Sequence, residues 1–476
     1  MKIILSNIID VEEPSKELIN FAKKQLTFTN PEVLKKKRLG FYCYGMDKEI
    51  KLYNIYNNHL YLPIGIFNEL YKMHPINKDY VDYSVTRSVA IKNHITLRDY
   101  QVPVIQAVKE KINGIIIAPC GTGKTSMALA CFGELKQKAL WICNTMELLN
   151  QAKDRCEETI ECTTSVITDG KCDITGDIVF ATVQTLVKCV EKGIIKQDTF
   201  GMLIVDEVHL LSCNPEGIQM FRQCVEYFSA RYKISMTATL HRSDGLHECI
   251  KHIMGDIIYS IEQKGSDYCC IYNGETLLKF PVDKFQVPAR IKVIETKYNI
   301  ADKEVYAPNG GTVQYASLIS DLAMNEDRNK ILVNLLNSVA GSTLVLSDRV
   351  DQLKYLCTQV DNGVQIDGGT PKKIRKQAIE DVRSGKVKYL FASYNLARQG
   401  LDIPILSNLF LGTPVKDFAV VVQSIGRIQR PYEGKTVAQV YDFVDDVSML
   451  YRFYSKRRST YRKNNWEIEN IYLGGS

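Results

Sequence analysis

At 476 residues the chain is too long for a single core and calls for about three domains. With 45% hydrophobic and 24% charged residues it has the balance of a globular protein, and its formal charge of +6 is too mild to imply a nucleic-acid partner unaided. No apolar run approaches the ~18 residues of a membrane span, so a membrane role is not expected. Met1–Ser6 is too short for a signal peptide, and the 14 cysteines contain no Cys-x-x-Cys pair. Reduced, mostly buried thiols in a cytoplasmic protein are expected, rather than disulfides or a structural metal.

Residues 1–92 are rich in aromatics, lack a nucleotide motif and are expected to form a small separate α+β domain. Within them Lys35-Lys36-Lys37-Arg38 is a basic cluster, suited either to a phosphate backbone or to a solvated helix face. Phe41-Tyr42-Cys43-Tyr44 reads as a core strand with buried aromatics, an exposed grip being the alternative.

From about residue 95 short apolar runs alternate with helical patterns. Ile115–Ala118, Ala139–Cys143, Ile178–Ala181, Met202–Val205 and Lys233–Thr237 read as strands of a parallel sheet covered on both faces. A second series follows at Thr343–Leu346, Val364–Asp367, Tyr389–Ala392, Asn408–Leu411 and Gln439–Phe443. Two tandem α/β domains follow from this alternation, with 262–325 as linker and hairpin material. Arg452–Lys463 closes the chain with six basic residues, three aromatics and no acid.

Ala118-Pro119-Cys120-Gly121-Thr122-Gly123-Lys124-Thr125 sits between an apolar strand and a helical pattern, the context of a phosphate-binding loop. Gly121 and Gly123 let backbone N–H groups, with Thr122, approach ATP phosphates. Lys124 is expected to bridge the β- and γ-phosphates and Thr125 to ligate Mg2+. Asp206-Glu207-Val208-His209 follows a strand, placing Asp206 to hold the Mg2+ and Glu207 to deprotonate the attacking water. His209 is read as a hydrogen-bonding coupler. Arg98 and Gln101 precede the loop, and the Gln101 amide can pair with N6 and N7 of adenine.

These segments, with Thr237-Ala238-Thr239, Gly400-Leu401-Asp402-Ile403-Pro404 and Gln423-Ser424-Ile425-Gly426-Arg427-Ile428-Gln429-Arg430, resemble superfamily-2 helicases in identity and order. Thr237–Gly245 and Leu344–Val350 resemble the XPB/UvsW branch. Leu240 departs from the proline of many relatives, and Ser243 from the acid of XPB proteins. The resemblance implies two tandem RecA-like parallel-sheet domains, at 93–290 and 291–446. They would follow the N-terminal domain (1–92) and precede a short basic tail (447–476). It also implies that Thr237 and Thr239 couple ATP state to domain movement and that Asp402 senses the nucleotide. Gln423, Arg427 and Arg430 would complete the site from the second domain, one arginine acting as a finger on the γ-phosphate.

The same resemblance implies an ATP-dependent DNA helicase or translocase, monomeric, remodelling forked or branched DNA, usually 3′ to 5′. Asn144, Thr145, Thr182, Thr185, Arg242, Arg349 and Ser393 are the expected nucleic-acid contacts, rich in hydroxyl and amide groups suited to phosphates. The N-terminal domain and the basic tail are candidate grips on the duplex. The alternative is an RNA helicase or transcript-release factor of the Asp-Glu-x-His type; a restriction or remodelling motor and a non-catalytic scaffold are less favoured. Richness in Lys, Asn and Ile points to an AT-rich genome, viral or phage, which would place the protein in a bacterial host's cytoplasm.

Overall fold

The structure, a computed structural model, describes the chain except residues 75–79, 120, 214–218, 241, 243, 283–285, 301–313, 399–400, 402, 416–417 and 473–476. It divides into two compact units, one of residues 1–262 and 269–279, the other of 263–268 and 280–476.

In the first unit seven parallel strands lie in the order Thr164–Thr168, Ile178–Thr182, Ala139–Cys143, Met202–Val205, Tyr232–Thr237, Asn113–Ile117 and Ile257–Lys264. The central runs are buried throughout, as their continuous apolarity requires when helices cover both faces. Because all seven run one way, every loop that follows a strand emerges at one edge. The expected strands are present, extended by Thr164–Thr168 and Ile257–Lys264, which periodicity did not reveal.

Residues 1–92 form a second, five-stranded sheet ordered Asn54–Tyr56, His59–Leu62, Ile9–Glu12, Lys2–Leu5 and Tyr80–Asp82. This region is α+β as expected but not separate: Ile9, Leu18 and Leu60 share one hydrophobic core with Ile115, Leu140 and Leu203. The contact is close enough to demand glycine at position 65, where a Cβ would lie 2.3 Å from the carbonyl of His252. Phe41, Tyr42 and Tyr44 are exposed instead of forming a core strand. They occupy the loop between the helix Pro31–Arg38 and the strand Glu49–Lys51, and the loop's own turns prevent an extended pairing.

Lys233 ties the two sheets together. It is 1% exposed on Tyr232–Thr237 and donates to the carbonyls of Asn7 (3.1 Å) and Val225 (3.2 Å). Burial pushes its ammonium down from 10.5 to about 7, opposed by Glu226. Between those values the unfolded chain binds a proton that the folded chain releases, so stability is expected to rise with pH from about 7 towards 10.5. The rise attributable to this lysine amounts to roughly 4–5 kcal/mol. Urea unfolding at neutral and alkaline pH checks it: Lys233→Met should flatten the dependence.

The second unit holds seven parallel strands, ordered Gly363–Ile366, Tyr389–Ser393, Ser342–Ser347, Leu406–Leu411, Ala438–Val444, Ala289–Glu295 and Glu467–Ile471. The basic tail is not appended to this sheet but built into it. Its residues form the helix Ser448–Lys463 and the edge strand Glu467–Ile471. Arg457 is 2% exposed and pairs with Asp442 at 2.7 Å, and Tyr461 donates to the same carboxylate. One of the six tail cations is thereby spent inside the fold.

Candidate ATPase site and track-facing edge

The strand Asn113–Ile117 delivers Ala118, Pro119 and Gly121–Gly123 to the carboxyl edge of the first sheet. Gly121 and Gly123 adopt φ of 84° and 85°, and the helix Lys124–Leu135 begins directly after them. Gly123 offers no side-chain cap, so the helix's first N–H groups point at the loop, an arrangement suited to anionic phosphate. Thr122 Oγ1 donates to Pro119 O (2.7 Å) and Lys124 Nζ to Ala118 O (3.1 Å). Thr125 lies in the first turn of the helix.

Gln101 and Arg98 brace this loop. Gln101 Nε2 donates to Thr122 O at 2.7 Å, and its Oε1 accepts from Arg98 N at 3.0 Å. Arg98 Nη1 donates to the Tyr100 hydroxyl, which donates to Thr122 O. A Cβ at position 123 would lie 2.4 Å from Gln101 Nε2. Gly123→Ala, combining this clash with a left-handed backbone, is expected to weaken ATP binding by about ten-fold or more. Titration with a fluorescent ATP analogue measures it.

Met202–Val205 and Tyr232–Thr237 end at the same edge, two neighbours in the sheet order leading to the phosphate-loop strand. Asp206 is 7% exposed; burial, then the adjacent Glu207, push its carboxyl up to about 7, while Lys124 and His209 oppose them. Glu207 has φ 51°, a conformation disfavoured for a residue with a Cβ and recurrent at functional turns. Its Oε2 lies 3.2 Å from His209 Nδ1, which lies 3.0 Å from Thr237 Oγ1. Thr237 Oγ1 donates its proton to Thr239 O (2.8 Å), so towards the imidazole it can only accept. The network therefore assigns a proton to His209 Nδ1.

Arg242 extends the chain of contacts. Its guanidinium donates to the carbonyl of Leu211 (2.8 Å) and to that of His209, and pairs with Asp244 through Nε at 3.0 Å. Expected among the nucleic-acid contacts, Arg242 here fastens the turn after Glu207 to the loop after Thr239.

The other half of this edge carries the remaining predicted contacts of the first unit. Gln184 Nε2 donates to Asn144 Oδ1 (2.9 Å), bringing together the loops after two neighbouring strands. Thr145 Oγ1 caps the helix Met146–Thr159 by accepting from Leu148 N, and Thr182 donates to Thr185 at 3.3 Å. In the second unit Ser347 and Ser393 are register partners at the strand ends. Arg349 Nη2 donates to Ala316 O, and its backbone N–H donates to Ser347 Oγ. Ser393 Oγ accepts from Leu396 N. A buried relay that no motif marks supports this end: Ser347 donates to Gln352 (2.7 Å), and Gln352 to Asn329 (3.0 Å).

Gln423 and Arg427 lie one turn apart on the helix Phe418–Ile428, and Arg430 follows its end. Arg427 Nε is buried with no hydrogen-bond partner among the described residues. Lys435, which the sequence did not single out, anchors the Arg430 carbonyl at 2.9 Å and holds Pro404 and Leu406 by theirs. A lone lysine three residues before the strand Ala438–Val444 offers no pattern that could have marked it. Asp402 lies outside the described residues.

Residues 94–242 match the family described as the res subunit of type III restriction enzymes, and 327–431 match the helicase conserved C-terminal domain. The chain is a superfamily-2 helicase. Its activity is nucleic-acid-dependent ATP hydrolysis. Putative ATP-dependent RNA helicase L396 of Acanthamoeba polyphaga mimivirus is 27% identical over 80% of this chain and 70% of its own. Probable helicase D10 of Escherichia phage T5 is 26% identical over 98% of this chain and 95% of its own. DNA 3'-5' translocase XPB2 of Sulfurisphaera tokodaii is 25% identical over 77% and 86% respectively. Both sheets are RecA-like, as in S. cerevisiae Dbp5 bound to RNA and ADP BeF3 (TM-score 0.54, 16% identity, 79% of this chain and 94% of that one). Among the described residues no helix of this helicase is long and apolar enough to cross a membrane.

Proposed function

We propose that this helicase is a monomeric Mg2+-ATP-driven DNA translocase that moves 3′ to 5′ and remodels forked or branched DNA. The observation that supports it most is the unbroken run Glu207–His209–Thr237–Thr239, fastened through Arg242 to the loop that distinguishes the XPB/UvsW branch. The carboxylate that would activate water thus lies within ion-pair reach of His209, whose ring is hydrogen-bonded to the segment that would report ATP state.

The donors fit a hard cation. Asp206 and Glu207 are adjacent carboxylates, one of them buried, beside the Thr125 helix start. Mg2+ takes few protein oxygens and completes its shell with phosphate and water. Thr125 and Asp206 would hold it, and it would neutralise charge on the phosphates. Lys124 and the helix N-terminus bind the β- and γ-phosphates, and Glu207 accepts the proton of the attacking water. By the family resemblance, Gln423, Arg427 and Arg430 would supply hydrogen bonds and positive charge to the transferred phosphoryl group, and Asp402 would sense the nucleotide. Asn144, Thr145, Thr182, Thr185, Arg349 and Ser393 contact the strand's phosphates, independently of sequence.

An RNA helicase or transcript-release factor is the second reading, favoured by the name of the mimivirus relative. ATPase stimulation and strand separation decide between them, using forked, Holliday-junction, 3′-tailed and 5′-tailed DNA beside RNA of equal length. Preference for forked or 3′-tailed DNA supports the proposal; activity on RNA alone overturns it.

A further inference from the structure

We propose that the loop 39–47 of the N-terminal region is a base-stacking platform for single-stranded nucleic acid, a second binding site outside the motor. The inference rests on the track being nucleic acid and adds where and how an unpaired strand is held.

Phe41, Tyr42 and Tyr44 are 64, 97 and 101% exposed, with Leu39 beside them at 62%. Three rings standing in water forfeit the burial that aromatics ordinarily contribute. The loop beneath them is nevertheless fastened. Buried Asn30 donates through Nδ2 to Asp47 O (2.8 Å), and its backbone N–H donates to Lys48 O (3.0 Å). The Cys43 thiol donates back to Val33 O (3.7 Å), and Phe41 N donates to Lys36 O (2.9 Å). Gly40 and Gly45, at φ 75° and 74°, turn the chain on either side of the rings. The base is held and the rings point outward, so the display is built into the loop.

Charge selects the occupant. Lys35, Lys36, Lys37 and Arg38 fill the last turn of the preceding helix, and Lys37 and Arg38 are exposed. A single strand presents unstacked bases to rings and phosphates to cations at once, which a duplex with stacked bases does not. An acidic protein partner would use the cations but would not need three rings.

The test is fluorescence anisotropy of the full chain with labelled oligothymidine and oligouridine, alongside ATPase stimulation of the wild type by the same oligomers. Tyr42→Ala/Tyr44→Ala and Tyr42→Leu/Tyr44→Leu should each weaken binding by about ten-fold or more, while Tyr42→Phe/Tyr44→Phe retains it. Lys37→Gln/Arg38→Gln should flatten the logarithmic salt dependence by about 1.4, for two phosphates on a single strand. Equal loss with both oligomers makes the platform indifferent to sugar; loss with one assigns it to DNA or RNA. Unchanged affinity in the alanine and leucine variants overturns the stacking platform, and an unchanged salt slope overturns the role of the cations. If forked DNA and both oligomers all leave the wild-type ATPase unstimulated, the motor reading fails instead.

Discussion

Glu207→Gln is expected to lower nucleic-acid-stimulated ATP turnover by roughly 10²–10⁴-fold, the contribution of a positioned general base. The amide keeps the size of the side chain and can still meet His209, which lies 3.2 Å from the carboxylate. It cannot accept the proton of the attacking water. Binding of ATP and of nucleic acid should therefore survive, because Lys124, the glycine loop and the hydroxyl-rich loops are untouched. Steady-state turnover with saturating DNA, paired with anisotropy on the same preparation, separates the two effects. Turnover at the wild-type rate would remove Glu207 from the mechanism. A loss confined to DNA binding would move it to the track.

A large stability effect belongs to the C-terminal helix. Arg457 and Asp442 are 2% and 1% exposed and paired at 2.7 Å, and Tyr461 donates to the same carboxylate. Arg457→Met removes the cation and leaves Asp442 buried without its counter-charge, at a cost of about 3–5 kcal/mol. For a unit of this size the melting transition should fall by roughly 10 °C. Differential scanning calorimetry of the full chain measures it. Asp442→Asn in the same chain should restore part of the loss, because the stranded charge is then gone. Full stability in the single variant would mean that the helix is not held by this pair.

Arg457 also shows where reading the sequence stops. Six cations and three aromatics with no acid look like a surface for phosphate, and nothing within the segment says otherwise. The partner that buries Arg457 lies 15 residues upstream, on the strand Ala438–Val444. The strands Ala289–Glu295 and Glu467–Ile471 were missed for a related reason. The first has alternating burial and the second sits at the sheet edge, so neither is the continuous apolar run that marks a central parallel strand. Phe41, Tyr42 and Tyr44 were misread in the opposite direction, since aromatic density resembles a core strand until Gly40, Gly45 and the Asn30 clasp turn it into a loop.

The sequence by itself determined the ATPase motifs, their order and the two parallel-sheet domains. Each depends on local chemistry: glycines that permit left-handed turns, a lysine and hydroxyl at a helix start, carboxylates after an apolar strand. Only the tertiary structure decided which of these groups meet. Parallel strand order brought residues 121–125, 206–209 and 237–239 to one edge. Burial then decided which cations remained for a ligand, by drawing Arg242, Lys233 and Arg457 inward while leaving Lys37 and Arg38 outside. Charge is written in the sequence, but desolvation is a property of the neighbours a side chain acquires on folding.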